Sequence, residues 1–138
     1  MTTDPRREFV ESLLGGDSEK AISFIHPECV TRHPPTLPYG GDLMGPEGYR
    51  QLQDALWSTF DLDLEKTDVR YVDDDHVLVR FWATFIHKVT RKTAKMTVAE
   101  IYRFEDGMCV EQDNYYKSPE LVTALILEAQ RSVDVGKA

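Results

Sequence analysis

Glu100 is the residue of this sequence whose surroundings best suit acid–base chemistry. It lies in a segment of alternating residues from Lys95 to Phe104, which predicts a β-strand. Every second side chain of a strand shares a face, so the neighbours of Glu100 on its face are Met96, Val98, Tyr102 and Phe104. An unpaired carboxylate there loses hydration, and its pKa rises. Such a group can act as a general acid near neutral pH. The alternative is a glutamate that is satisfied by a neighbouring tyrosine or arginine, such as Arg80 or Arg103.

The next strand, Met108 to Tyr116, carries a second group of polar candidates. The turn Glu105-Asp106-Gly107 contains the Asp-Gly pair that favours a hairpin between the two strands. Asn114 and Tyr116 share one face, while Asp113 lies on the other. An asparagine can orient water or substrate but cannot act as a base, whereas an aspartate can. A β-bulge reverses which face points inward, so Asp113 also remains a candidate base.

His33 and the loop that follows it form a third candidate region. His33 ends a short predicted strand that starts at Glu28, and imidazole is a suitable base near pH 7. The loop from Pro34 to Asp42 contains three prolines and two glycines, which excludes a regular element. Tyr39 in this loop supplies a large amphipathic ring that we expect to line a pocket. The alternatives are a turn histidine and a simple connection from strand to helix.

The elements that must position these residues follow a clear order. Capping residues, glycines and prolines predict three helices before the strands, at 4–14, 17–25 and 45–60. The third helix carries Trp57 on its apolar face. Four strands then follow in antiparallel series, at 62–71, 77–89, 95–104 and 108–116, before a last helix that runs from Ser118 to about Gln130. Helices segregated from a meander predict an α+β fold.

Composition and charge exclude several classes of protein. The chain has 138 residues, 41% of them hydrophobic, and a net charge of −8. Its length predicts one domain over residues 1–138. We expect no nucleic-acid binding, because the chain is acidic. No apolar run reaches the roughly 20 residues of a membrane span, and the N-terminus lacks a signal-peptide pattern, so we expect a cytoplasmic protein that binds no membrane. Cysteine and histidine spacings predict no metal, and the absence of a glycine-rich phosphate loop predicts no organic cofactor.

The element order resembles the SnoaL-like group of the NTF2-like superfamily. The similarity covers about residues 6–128 and is carried by three stretches: Pro38-Tyr39-Gly40-Gly41 followed by Gly45-Pro46-Glu47-Gly48, Tyr102-Arg103-Phe104-Glu105-Asp106-Gly107, and Asp113-Asn114-Tyr115-Tyr116-Lys117. It implies a cone in which a strongly curved antiparallel sheet wraps around three N-terminal helices, with a C-terminal helix. The superfamily includes ketosteroid isomerases, scytalone dehydratases, limonene epoxide hydrolases and polyketide cyclases. The resemblance also implies an apolar small-molecule ligand and a homodimer formed through the convex side of the sheet.

The resemblance also implies roles for individual residues. Glu100 matches the protonated aspartate of the isomerase oxyanion hole, and His33 matches the position of the isomerase's aspartate base. In the isomerase register Asn114 and Tyr116 face the pocket, and Asn114 falls where epoxide hydrolases carry a catalytic aspartate. This chain reproduces none of those aspartates. Trp57 is expected in the core or the pocket wall.

Two functions remain open from the sequence. The first is a cofactor-free isomerase, cyclase, dehydratase or epoxide hydrolase. In it Glu100 is the acid or oxyanion donor, His33 or Asp113 is the base, and Asn114 and Tyr116 orient the substrate. The second is a non-catalytic ligand-binding or dimerisation module, in which Glu100 is locked to an arginine or the pocket is filled by its own side chains.

Overall fold

The N-terminal helices begin at the residues that the capping pattern predicts. The computed structural model describes residues 4–136, with side chains up to Ser132. Helix α1 (Pro5–Leu14) starts where the Asp4 carboxylate accepts the Arg6 backbone N–H, and it ends at Gly15. Asp17 caps α2 (Ser18–Ser23) in the same way. The second helix is shorter than expected, because Ile25 already pairs with Cys109 and opens strand β1 (Ile25–His33).

The proline-rich loop is also shorter than the sequence predicts, because its end forms a strand. Strand β2 (Gly41–Met44) pairs antiparallel with β1, from Val30 opposite Met44 to His33 opposite Gly41. Helix α3 (Gly45–Thr59) follows directly. Gly45 has a φ of +68°, and a Cβ there would lie 2.8 Å from the carbonyl oxygen of Pro27. This close approach requires glycine and fixes the start of α3 against β1.

The four predicted strands of the meander are confirmed, with ends that differ by one or two residues in three of them. They are β3 (Phe60–Tyr71), β4 (His76–His87), β5 (Thr93–Glu105) and β6 (Met108–Tyr116). The sheet order is β2-β1-β6-β5-β4-β3. Strand β1 pairs parallel with β6 while all other pairs are antiparallel. The sheet is therefore mixed: it is antiparallel as expected, except at the parallel seam between β1 and β6.

The inner face of the sheet buries two apolar clusters. The first, which we call the α1 cluster, joins α1 and α2 to the start of β4 and the end of β5, and includes Phe9, Ile22, Val79, Tyr102 and Phe104. The second, which we call the α4 cluster, lies under helix α4 (Pro119–Gly136) and includes Phe60, Phe85, Met96, Val98, Val122 and Leu125. Helices packed against the inner face of a sheet confirm the predicted α+β cone.

The outer face of β4 and β5 carries half-buried apolar side chains: Leu78, Trp82, Ile86, Ala99 and Ile101. The Lys66 ammonium and the Arg80 guanidinium each lie 4.8 Å from the centre of the Trp82 ring. Such cation–π contacts stabilise the position of the indole on this face. Within residues 4–136, no helix combines the length and the apolar character needed to cross a membrane.

Replacement of Phe9 by alanine tests the α1 cluster. Phe9 is fully buried, and its ring meets those of Tyr102 and Phe104 edge to face, with centroids 5.0 and 5.6 Å apart. We expect Phe9→Ala to lower the free energy of unfolding by about 3–5 kcal/mol, measured by urea denaturation. The exposed Leu14→Ala on the same helix is the control, with an expected loss of about 0.5 kcal/mol. Equal losses in the two variants would contradict this account of the core.

Candidate functional site

Polar side chains from three neighbouring strands meet on the inner face of the sheet, next to the two apolar clusters. Glu100 of β5 is directly opposite Asn114 of β6. In the parallel pairing Thr31 is opposite Gln112 and Arg32 is opposite Asp113, so the next residue, His33, is level with Asn114. His33 is 6% exposed and Asn114 is 4% exposed. The structure therefore brings Glu100, Asn114 and His33 into one row across the sheet.

Glu100 has a tyrosine as its hydrogen-bond partner. The Tyr102 hydroxyl donates to Glu100 Oε1 at 2.7 Å. Although Glu100 keeps some exposure, desolvation of its carboxyl group raises its pKa to about 7, while the hydrogen bond from Tyr102 acts in the opposite direction. Both arginines that the sequence offered as partners are bound elsewhere: Arg80 pairs with Asp68 at 3.3 Å and Arg103 pairs with Glu105 at 3.1 Å. Of the sequence alternatives, the tyrosine contact is the one present.

Asn114 fixes the tautomer of His33. Its side-chain amide donates to the Arg32 carbonyl oxygen at 2.9 Å and lies 3.3 Å from His33 Nδ1. An amide NH₂ group can only donate, so Nδ1 accepts and the ring proton resides on Nε2. Desolvation lowers the pKa of His33 to about 4. The imidazole is therefore neutral at pH 7, with its Nε2–H available as a donor.

Two tyrosines close over the histidine. The hydroxyl groups of Tyr39 and Tyr116 lie 3.0 Å apart, and both rings meet His33 edge to face. Desolvation raises the pKa of Tyr39 to about 12 and that of Tyr116 well above its usual value. Both phenols therefore stay protonated at physiological pH and can donate hydrogen bonds.

A surface pocket of about 390 Å³ opens onto this group at the ends of β1 and β6. The residues that line it fall into three groups: the inner residues His33, Asn114 and Tyr116, the apolar residues Pro34 and Pro35, and the charged residues Arg32, Asp42 and Asp113. This pocket connects solvent to the inner row of polar residues. Its lining combines apolar surface with a few polar groups, as small-molecule sites do.

Asp113 does not join this group, and a bulge explains why. Arg103 is opposite Glu111 while Phe104 is opposite Cys109, so Val110 is the extra residue. The sequence places the even-numbered residues of this strand inside and keeps Asp113 as a candidate in case a bulge shifts the register. The observed bulge buries Cys109 and leaves the even-numbered residues inside beyond Val110. Asp113 lies on the outer face and accepts a hydrogen bond from Tyr115 at 2.8 Å. The structure thus places Asp113 outside the inner row, although it lines the surface pocket at His33.

Trp57 also lies away from the row. It is 49% exposed on α3, and its indole N–H donates to Gln53 Oε1 at 2.6 Å. Together with Leu13, Tyr49 and Gln53 it lines a separate pocket of about 200 Å³ between the N-terminal helices. Of the two places expected for Trp57, the core is excluded because α3 presents half of the side chain to solvent, whereas the residue does line the wall of this smaller pocket.

Sequence reasoning missed Tyr49 and Gln112. Tyr49 is buried on α3. Desolvation is the main reason that its pKa is raised, and the negative charge of the nearby Glu100 carboxylate raises it further. Neither residue carries a motif. For Gln112 the available signal was its face of β6, which it shares with Asn114. For Tyr49 there was none beyond helical periodicity.

Comparison with known proteins identifies the family. The model of the SnoaL-like domain matches residues 7–112 of this chain. The chain belongs to the SnoaL-like domain family. No curated protein matches the sequence of this SnoaL-like domain at a significant level.

Solved structures share the fold of this SnoaL-like domain at low sequence identity. An NTF2-like protein of Burkholderia thailandensis has a TM-score of 0.75 at 18% identity, over 94% of this chain and 98% of its own. A candidate SnoaL-like polyketide cyclase of Mesorhizobium loti has a TM-score of 0.67 at 22% identity, over 84% and 100%. TerC, co-crystallised with polyporic acid, has a TM-score of 0.70 at 15% identity, over 88% and 95%.

The pH dependence of stability tests the two titrating groups of the row. Glu100 has a folded pKa of about 7 against a usual 4.5, so the folded state binds more protons between these values and its contribution to stability falls as pH rises. His33 has a folded pKa of about 4 against a usual 6.5, so its contribution rises with pH. The two contributions oppose each other in the wild type.

Urea denaturation at a series of pH values separates the contribution of Glu100 from that of His33. Relative to the wild type, Glu100→Gln should become more stable as pH rises from 4.5 to about 7. His33→Asn should become more stable as pH falls from 6.5 to about 4. The exposed Glu120→Gln is the control and should keep a constant offset. A constant offset for Glu100→Gln as well would show that its carboxyl group is not desolvated.

Proposed function

We propose that this SnoaL-like domain is a cofactor-independent acid–base enzyme that acts on an apolar small molecule. The observation that carries the proposal is the Glu100 carboxyl group, which lies on the inner face with a pKa of about 7 and a tyrosine as its hydrogen-bond partner. Proton transfer is most efficient when the pKa of the catalytic group lies near the working pH. Glu100 meets that condition, and desolvation is the reason.

In the proposed reaction Glu100 moves the proton. Near pH 7 its acid and base forms are both populated. The carboxylate can take a proton from a carbon next to a carbonyl group, and the resulting acid can return it at another carbon, which isomerises the substrate. If the enolate instead attacks a second carbonyl carbon of the same substrate, a carbon–carbon bond forms, the acid protonates the resulting alkoxide oxygen, and the substrate is cyclised. Protonation of a leaving oxygen by the same acid would serve dehydration or epoxide opening.

His33 serves as a hydrogen-bond donor in this scheme. A histidine with a pKa of about 4 is a weak base, so the sequence-based role of general base suits it poorly. Its Nε2–H can instead stabilise the negative charge that develops on a substrate oxygen. Asn114 orients the ring, since its amide contacts Nδ1. The hydroxyls of Tyr39 and Tyr116 can orient the substrate at the mouth of the site.

Solved relatives support the apolar ligand class. TerC was co-crystallised with polyporic acid, and the Mesorhizobium protein is described as a candidate polyketide cyclase. The pocket at His33 offers proline and tyrosine surfaces that suit a flat apolar ring.

Exchange of α-protons tests the proposal without knowledge of the natural substrate. We expect the wild type to catalyse hydrogen–deuterium exchange at the α-carbon of 2-tetralone, or hydrolysis of styrene oxide, as followed by NMR. For the reaction that the wild type catalyses, Glu100→Gln should lower the rate by roughly 10²–10⁴-fold without loss of folding, because the amide cannot transfer the proton. The rate should fall as pH drops below about 7 if the carboxylate form is the catalyst.

Asp63→Asn is the matched control, since it removes an exposed carboxylate from the outer face of β3, and Asp63 does not line the pocket at His33. Its rate should stay close to that of the wild type. A Glu100→Gln rate equal to that of the wild type, or no wild-type activity on either probe, would count against the proposed function.

We also propose that the chain forms a homodimer through the outer face of β4 and β5. The half-buried apolar strip around Trp82 supports this, because apolar sheet faces are commonly covered by a second layer. Trp82→Asp should shift the mass measured by light scattering from dimer to monomer, whereas the exposed Val72→Asp should not. A monomeric wild type would contradict the proposal.

A further inference from the structure

Two polar atoms deep in the cone have no hydrogen-bond partner among the described residues. They are Thr31 Oγ1 and Gln112 Oε1. Thr31 is fully buried and Gln112 is 2% exposed, and the two residues are opposite each other in the pairing of β1 with β6. A buried acceptor without a partner costs roughly 1–3 kcal/mol of desolvation. Buried polar atoms normally have a hydrogen-bond partner. A role in ligand binding is a physical reason for the fold to keep these two atoms without one.

The network next to Gln112 fixes which end of its amide is free. The Arg32 carbonyl oxygen accepts from Asn114 Nδ2, so Asn114 Oδ1 points the other way. That oxygen accepts from Gln112 Nε2 at 3.4 Å. The amide NH₂ of Gln112 is therefore engaged, and its carbonyl oxygen is the free atom. A flip of either amide would place two donors or two acceptors together.

This polarity decides what chemistry the free atom recognises. A carbonyl oxygen can only accept, so its partner must donate a hydrogen bond. Thr31 Oγ1 can accept or donate, and it lies across the strand pair from the same residue. A hydroxyl group matches both atoms, since it donates one hydrogen bond and can accept another.

We propose that Gln112 and Thr31 form a recognition site for a hydroxyl group of the ligand. The inference rests on the proposed function and narrows its substrate class to apolar molecules that carry a phenol, enol or alcohol group. The site lies two residues along each strand from His33 and Asn114, roughly 7 Å deeper. A ligand that enters past His33 would thus place its hydroxyl at Gln112 and its reacting part beside Glu100. On β5, Tyr102 lies opposite Gln112, and Glu100 lies two residues before Tyr102.

A matched pair of probes isolates the donated hydrogen bond. 2-Naphthol has the hydroxyl, and 2-methoxynaphthalene keeps the oxygen but cannot donate. Affinities are measured by fluorescence titration at about pH 5.5, where a Glu100 with a pKa of about 7 is protonated and competes less as an acceptor. We expect the wild type to prefer 2-naphthol by about tenfold, as one buried hydrogen bond predicts.

Substitutions then assign the preference to the pair. Gln112→Met removes the acceptor at similar length, and the ratio of the two affinities should fall close to one. Thr31→Val keeps the shape and should reduce the ratio in part. Thr97→Val, a substitution on the outer face of β5, is the matched control and should keep the wild-type ratio.

Melting temperatures distinguish a ligand site from a site for internal water. Thr31→Val should melt at the wild-type temperature or above it, because an unpartnered buried hydroxyl group is removed while the hydrogen bond from Gln112 to Asn114 stays in place. A lower melting temperature together with an unchanged preference would mean that the pair holds a water molecule, and the proposal would be overturned. A wild type that fails to bind 2-naphthol more tightly than its ether would also overturn it. Glu100→Gln should lose turnover but keep the preference, so failure of the catalytic proposal has a different signature.

Discussion

The bulge at Val110 determines which side chains of β6 enter the cone. One extra residue sits between the turn at Gly107 and the rest of the strand. Cys109 before it and Gln112 after it therefore both face inward, although their positions differ by three. Had the strand continued without the bulge from Cys109, Glu111 and Asp113 would occupy the interior instead. The polar row, its neutral asparagine and its single titrating carboxyl group all depend on this one register shift.

The second constraint is the parallel seam between β1 and β6. A side-chain amide crosses this seam, since Asn114 donates to the carbonyl oxygen of Arg32. The contact ties the strand that carries His33 to the hairpin that faces Glu100. It also sets the direction of every amide in the row, from Asn114 to Gln112. One backbone carbonyl group on the rim thus decides the hydrogen-bond polarity deep in the cone.

Local signals in the sequence predicted most elements of the fold. Asp4 and Asp17 mark helix starts by short-range hydrogen bonds, and the Asp-Gly turn marks a hairpin, so both are legible from neighbouring residues. The isolation of Glu100 on an apolar face was also legible, because strand parity is local. The pairing of β1 with β6 joins residues about eighty positions apart, and no local pattern encodes it. Whether Asp113 or Asn114 points into the cone depends on a bulge, which the sequence does not reveal. The exposure of Trp57 depends on how α3 is rotated against the sheet, which is also set by the tertiary structure.

Helix α4 has a consequence for the order in which the cone is completed during synthesis. The α4 cluster is closed by Val122 and Leu125, which leave the ribosome after every strand has been made. Phe85, Met96 and Val98 belong to the sheet that precedes them, so the nascent chain exposes the apolar face of this sheet until α4 has been made. The α4 cluster can therefore exclude water only after both the strands and α4 have been synthesised.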